Sequence, residues 1–278
     1  MNHLTGFRGY PTVRGRSRRL VLGLTATFAM VLGMAGMGVS AAAADTVIDT
    51  VLVGAKPFGV AITPDGTHAY VTNFNDGTVS VIDTATNTVD DTVMVGFQPI
   101  GVAITPDGTH AYVTNAGDGT VSVIETVTNT EVDTVLVGAN PFGVAITLDG
   151  SHAYVTNSGA GTVSVIGTVT NTVIDTVPVG ISLQGVAITP DGTRAYVATA
   201  GDGTVSVIGT VTNTVIDTVP VGINPEGVAI TPDGTRVYVT NQDDGSVSVI
   251  GIDQCTGSLC LDFGSLTGSG SGAGSAFS

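Results

Sequence analysis

PFGVAITPDGTHAYVTNFNDGTVSVIDTATNTVDDTVMVG, residues 57–96, decides the architecture of this chain. Four apolar, β-branched runs stand out in it: 59–63, 68–73, 78–83 and 88–95. Val, Ile, Thr and Tyr fill them, as pleated half-buried surfaces require. Pro64-Asp65-Gly66 separates the first two runs, with Pro presetting the turn and Gly supplying a positive φ. Asn75-Asp76-Gly77 separates the second from the third and is a hairpin signal. Thr84-Ala85-Thr86-Asn87 joins the third to the fourth, and the repeats show no helical periodicity. One unit is therefore a four-stranded antiparallel meander.

Outward from this stretch, the unit recurs five times with a period of 42. The opening glycine returns at Gly59, Gly101, Gly143, Gly185 and Gly227, and residues 162–181 and 204–223 are identical. A four-stranded unit of this length predicts an all-β chain, a β-propeller with one blade per repeat. Runs such as VSVI and AYV carry apolar residues on both strand faces, as expected of sheets sandwiched between neighbours. Tyr70, Tyr112, Tyr154, Tyr196 and Tyr238 hold one repeat position; their equivalence points to packing between blades, each hydroxyl needing a partner.

AYVTN at 69–73, 111–115 and 153–157, and VYVTN at 237–241, each follow TPDGT or a close variant. These strings resemble the YVTN repeats of surface-layer-type β-propeller proteins, over residues 45–252. The fourth copy departs, reading AYVAT with Thr199 in place of Asn. The resemblance implies a non-catalytic propeller outside the cytoplasm. Members of that family usually have seven blades, whereas five copies stand here.

Five of the eight basic residues precede residue 20, and residues 1–44 contain no acid. An apolar run from Leu20 to Val39 and an alanine-rich stretch ending at Ala44 complete the order of a bacterial export signal, cleaved after Ala44. Ser17-Arg18-Arg19-Leu20 is similar to a twin-arginine signal, so the route is either that or the general secretory one. The expected organisation is a leader at 1–44, a five-bladed propeller at 45–254, and a tail at 255–278 that turns Gly/Ser-rich after Gly264. The exported part is expected to be secreted or held at the cell surface, without stable membrane insertion, as a monomer. It carries Lys56, Arg194 and Arg236 against all 23 acids, which excludes nucleic acid as a partner. Cys255 and Cys260 are a candidate disulfide in an oxidising compartment.

Closure is written at the chain ends. DTVIDTVLVG at 45–54 matches NTVIDTVPVG at 213–222, an outermost strand with no blade before it. The expectation is that it completes the fifth blade, closing the ring. The segment LCLDFG within 255–264 is the alternative closing strand.

Differences between copies gather in two connections expected on one face. The first reads AKPFG, FQPIG, ANPFG, ISLQG and INPEG; the second reads NFNDG, NAGDG, NSGAG, TAGDG and NQDDG. Loops on a rigid scaffold are where binding chemistry resides, although drift at tolerant loop tips produces the same pattern. The candidate binding residues are Lys56, Phe58, Phe74, Asp76, Gln98, Ile100, Asp118, Phe142, Gln184, Glu226 and Gln242. An envelope protein or glycan is the partner such a surface suits. His68, His110 and His152 fall on different blades, so no metal site is expected; the hairpin acids do not converge on one point, as calcium would need. No catalytic grouping and no cofactor motif is visible. A binding or structural module of the envelope is the first reading, and a propeller enzyme of lactonase or quinoprotein type is the alternative.

Overall fold

The structure, a computed structural model, describes residues 45–253. The leader, the cysteine pair and the alternative closing strand lie outside the described residues. The described residues from 47 to 253 fall in one compact unit. It holds five antiparallel sheets, each a meander in chain order. The first contains β1 (Pro57–Ile62), β2 (His68–Asn73), β3 (Thr78–Asp83) and β4 (Thr88–Met94). The second contains β5 (Pro99–Ile104), β6 (His110–Asn115), β7 (Thr120–Glu125) and β8 (Thr130–Leu136). The third contains β9 (Pro141–Ile146), β10 (His152–Asn157), β11 (Thr162–Gly167) and β12 (Thr172–Pro178). The fourth contains β13 (Leu183–Ile188), β14 (Arg194–Thr199), β15 (Thr204–Gly209) and β16 (Thr214–Pro220). The fifth has three strands, β17 (Pro225–Ile230), β18 (Arg236–Asn241) and β19 (Ser246–Gly251).

The apolar core is divided among the junctions. Tyr70, Val79, Val81 and Val93 of the first sheet pack on Ala111, Val113 and Ile124 of the second. The same cluster, shifted by one repeat, recurs at each of the next three junctions. This is why the strands are apolar on both faces: one face packs backward and the other forward.

Two residues of the YVTN string explain its repetition. The Thr72 hydroxyl accepts the Gly59 N–H and donates to the Ile100 carbonyl on the next sheet, both at 2.8 Å. Thr114 and Thr156 do the same toward Phe142 and Gln184. The Asn73 amide donates to Thr78 Oγ1 and Ser80 Oγ at 2.9 Å, while its oxygen accepts the Gly54 N–H at 3.1 Å. One buried side chain thus fastens β2 to β3 and to the segment entering the sheet. In the fourth copy Ala198 and Thr199 replace this pair. Ala198 has no hydroxyl to offer the fifth sheet, and Thr199 reaches only Val197 O and Ser206 Oγ, at 3.4 Å.

The recurring glycine is required by the approach of neighbouring inner strands. A Cβ at Gly101 would lie 2.5 Å from the Phe142 carbonyl. Gly227, at the end of the series, meets only its own sheet's Thr240.

The expected pairing of the N-terminal strand with the fifth sheet is not formed among the described residues. Residues 45–53 form no strand, and the fifth sheet lacks a fourth strand among the described residues. Gly54 and Ala55 are instead tied to the first sheet, through Asn73 and through Asp76 Oδ2 at 2.6 Å. The segment occupies the place of an outer strand preceding the first sheet. Tyr238, Val247 and Val249 at one end, and Val60 and Ile62 at the other, are exposed.

Candidate functional site

The two variable connections do share a face. Phe74 and Asn75 donate their backbone N–H to the Lys56 and Ala55 carbonyls, and Ala116 and Gly117 do the same to Gln98 and Phe97 in the second copy. The structure separates the expected binding residues into distinct groups. Lys56 Nζ stands 4.0 Å above the Phe74 ring, a cation–π pair. Phe58 and Phe142 meet edge to face, centroids 5.9 Å apart, although they lie on the first and third sheets. Inner strands converge, so residues 84 apart become neighbours. Ile100, from the sheet between them, is buried. Gln98 and Gln184 are half-buried, while Glu226 and Gln242 are exposed; Gln242 Oε1 accepts from Asn224 Nδ2 at 2.7 Å.

Asp76 and Asp118 have a structural duty. Asp76 Oδ2 accepts the Ala55 N–H, and Asp118 Oδ2 accepts the Phe97 N–H at 2.5 Å. Asp202 and Asp244 repeat the bond to Ile181 and Ile223. Each carboxylate latches the chain entering its sheet, which is why Asp-Gly persists in these turns.

One feature of this face escaped the sequence reading. Lys56, Gln98, Asn140, Ser182 and Asn224 occupy the same repeat position, and all have φ between 54° and 57°. Asn tolerates this left-handed region best after Gly, whereas other residues cost on the order of 1 kcal/mol. The signal was present in Asn140 and Asn224, each followed by proline. Lys56 and Gln98 therefore stand where backbone preference alone would place Asn.

The opposite face is grooved. Equivalent grooves run between successive sheets, with volumes of about 460, 490 and 730 Å³. The largest is lined by Asp149, His152 and Tyr154 of the third sheet and Asp191 and Asn213 of the fourth. In each groove a tyrosine donates across the junction: Tyr70 to Asn129 at 2.6 Å, Tyr112 to Asn171 and Tyr154 to Asn213 at 2.7 Å. Burial, with nearby aspartates, pushes these three phenols up to about 12. Asp65 and Asp149 are held down at about 2 chiefly by the hydroxyls of Thr63 and Thr147.

His68 lies on this side with Asp83 and Asp90, their ligand atoms all within 4.8 Å of one another. The sequence reading compared histidines with one another and missed these carboxylates on adjacent strands. Asp83 Oδ1 already accepts from Ala85 N–H, Thr86 N–H and the Thr86 hydroxyl. The cluster is thus built around a turn, and the next copy, with Val132 in place of Asp90, does not repeat it.

Residues 37–268 match the family described as "Lactonase, 7-bladed beta-propeller". No curated protein matches the chain. Among solved structures, hydrazine synthase of Kuenenia stuttgartiensis aligns with a TM-score of 0.65 at 29% identity, over 71% of this chain and 58% of that one. This chain therefore spans little more than half the length of that protein. A functionally unknown protein from Desulfotomaculum acetoxidans DSM 771 aligns with a TM-score of 0.62 at 22% identity, over 71% and 70% of the two chains. That second likeness shows the propeller fold alone.

Proposed function

We propose that this chain, which belongs to the family described as "Lactonase, 7-bladed beta-propeller", is an exported binding or structural module of the bacterial cell envelope, working without turnover. The inner strands carry this reading. They read PFGVAI, PIGVAI, PFGVAI, LQGVAI and PEGVAI, and Glu226 is their one titratable side chain. Opening a lactone needs a base for water and a donor for the oxyanion, converging within hydrogen-bond reach. On these strands Glu226 supplies at most the base, with no second titratable group to pair with it. The YVTN strings and the arginine-rich leader support the extracytoplasmic address.

The binding surface we assign is the variable face, centred on Phe58, Phe142 and the Lys56–Phe74 pair. The exposed Phe58 and the half-buried Phe74 and Phe142 beside a single cation suit a glycan or protein partner, and keeping Lys56 and Gln98 at strained positions fits a surface selected for contact rather than stability. Binding to isolated cell envelopes tests this. A Phe58→Ala/Phe142→Ala variant is expected to lose roughly tenfold or more in affinity, about 1.4 kcal/mol, while keeping its fold. Unchanged binding removes this face as the site. The family's name keeps the enzymatic reading alive, and hydrolysis of simple lactones by the purified protein, abolished by Glu226→Gln, would establish it.

A further inference from the structure

The outer faces of the first and fifth sheets are halves of a junction that the described residues make four times. At each internal junction the backward sheet contributes a tyrosine and valines, and the forward sheet contributes the Ala, Val and Ile of its second and third strands. The last sheet shows Tyr238, Val247 and Val249 to solvent. The first sheet shows the other half, Ala69, Val71 and Ile82, each only half-buried.

We propose that these ends join two copies head to tail, residues 47–54 of one copy becoming, on β19 of the other, the outer strand that the fifth sheet lacks among the described residues. The repeat supplies the register. In the fourth sheet Val205 faces Val219, Ser206 faces Thr218, and Val207 faces Asp217. Transposed to the open end, Val247 faces Val51, Ser248 faces Thr50, and Val249 faces Asp49. Val51 then fills the place that Val93 and Val135 fill in internal clusters.

Two polar contacts follow from the same transposition. Thr72, Thr114 and Thr156 donate to the carbonyl 28 residues on. Thr240 accepts from Gly227 at 2.9 Å, and its hydroxyl proton is directed to Phe58 O of the second copy. Tyr238 is likewise directed to Asn87 of the second copy, as Tyr70 is to Asn129. An apolar face, a strand edge and two hydrogen-bonding groups at one end thus meet their complements from the other. Because the contact joins different surfaces, it extends to further copies unless rotation closes it. The chain's acidity opposes it, so association strengthens with salt.

The test uses the full chain with Cys255→Ser and Cys260→Ser, carrying Thr50→Cys in one preparation and Ser248→Cys in another. Residues directly opposite in an antiparallel pair are within disulfide reach. Mixing the two under oxidising conditions is expected to give a covalent dimer containing one of each. Adding Val249→Lys to the second preparation is expected to lower its yield at least tenfold, with circular dichroism unchanged. No heterodimer from the mixture overturns the proposal. If a chain carrying both Thr50→Cys and Ser248→Cys then cross-links only as a monomer, the N-terminal strand closes its own ring; if it does not cross-link, another segment covers the edge.

Discussion

The third and fifth sheets are built from nearly the same residues and live in different surroundings. Their second strands read HAYVTN and RVYVTN, and their third strands TVSVIG and SVSVIG. Tyr154 is 1% exposed and Tyr238 is 39% exposed. β11 is buried through its centre, whereas β19 is mostly open. Strand identity comes from the local string, but burial comes from the neighbour. Apolar stabilisation in this molecule is therefore a property of junctions, as in other repeat arrays where interface terms carry much of the stability.

The strongest way to break the comparison is to truncate the tyrosine in each place. Tyr154→Ala removes a buried ring and its bond to Asn213, and is expected to cost about 3–5 kcal/mol in urea unfolding, as large aromatic truncations do. Tyr238→Ala at low protein concentration is expected to cost under about 1 kcal/mol. Equal losses would mean the last sheet is already covered in solution.

A second comparison sets the intact YVTN pair against its replacement in the fourth sheet. Asn157→Ala strips partners from Gly138 N–H, Thr162 and Ser164, and is expected to cost about 1–3 kcal/mol, the penalty for buried polar groups left unpaired. Installing the missing groups should work in reverse. Ala198→Thr/Thr199→Asn is expected to gain about 1–2 kcal/mol, from one or two hydrogen bonds of ordinary worth. Thermal unfolding of the two variants reads both signs.

Alkali should separate the regions more gently. Tyr70, Tyr112 and Tyr154 have folded-state pKa values of about 12, above the ordinary phenol value near 10. A raised pKa contributes stability that is complete below the unfolded value and lost as pH climbs through the folded one. The internal junctions are thus expected to weaken between about pH 10 and 12. Ultraviolet titration of phenolate against unfolding checks this; more than three of the six tyrosines ionising near pH 10 with the fold intact would contradict it.

Much of this was legible in the string. The expected runs 68–73 and 78–83 coincide with β2 and β3, since turn residues and β-branched runs are local signals. The shared face of the two variable connections was also readable, because a meander fixes which loops are neighbours. The open ends were not. A near-perfect match between 45–54 and 213–222 says what kind of strand the segment can form, not which edge receives it. The latching role of Asp76 and Asp118 was hidden because an aspartate before a turn glycine looks the same whether it bonds its own turn or a segment 21 residues away. The meeting of Phe58 with Phe142 depends on how closely inner strands converge, a tertiary quantity with no trace in local sequence.

The smallest expected effect tests whether anything is indifferent to position. The Asp-Gly turns that follow the first strand of each sheet should be, because their bonds close within a few residues. Asp149 accepts from the Thr147 hydroxyl at 2.6 Å and the Ser151 N–H at 3.0 Å; Asp233 accepts from Thr231 at 2.5 Å and the Thr235 N–H at 3.0 Å. Both carboxyls are lowered with the threonine hydroxyl as the leading cause, Asp149 to about 2. A lowered pKa contributes stability present above the ordinary carboxylate value and lost as pH falls through the folded one. For Asp149 that window runs from about pH 4 down to about 2. Carboxyl carbon NMR is expected to find both groups low, and Thr147→Ala and Thr231→Ala should raise each by a similar amount. If only Asp149 responds, the turn depends on its flanking sheet and the line drawn between local and junction interactions is misplaced. If both respond alike, the end sheet differs from the inner one solely in what its faces touch.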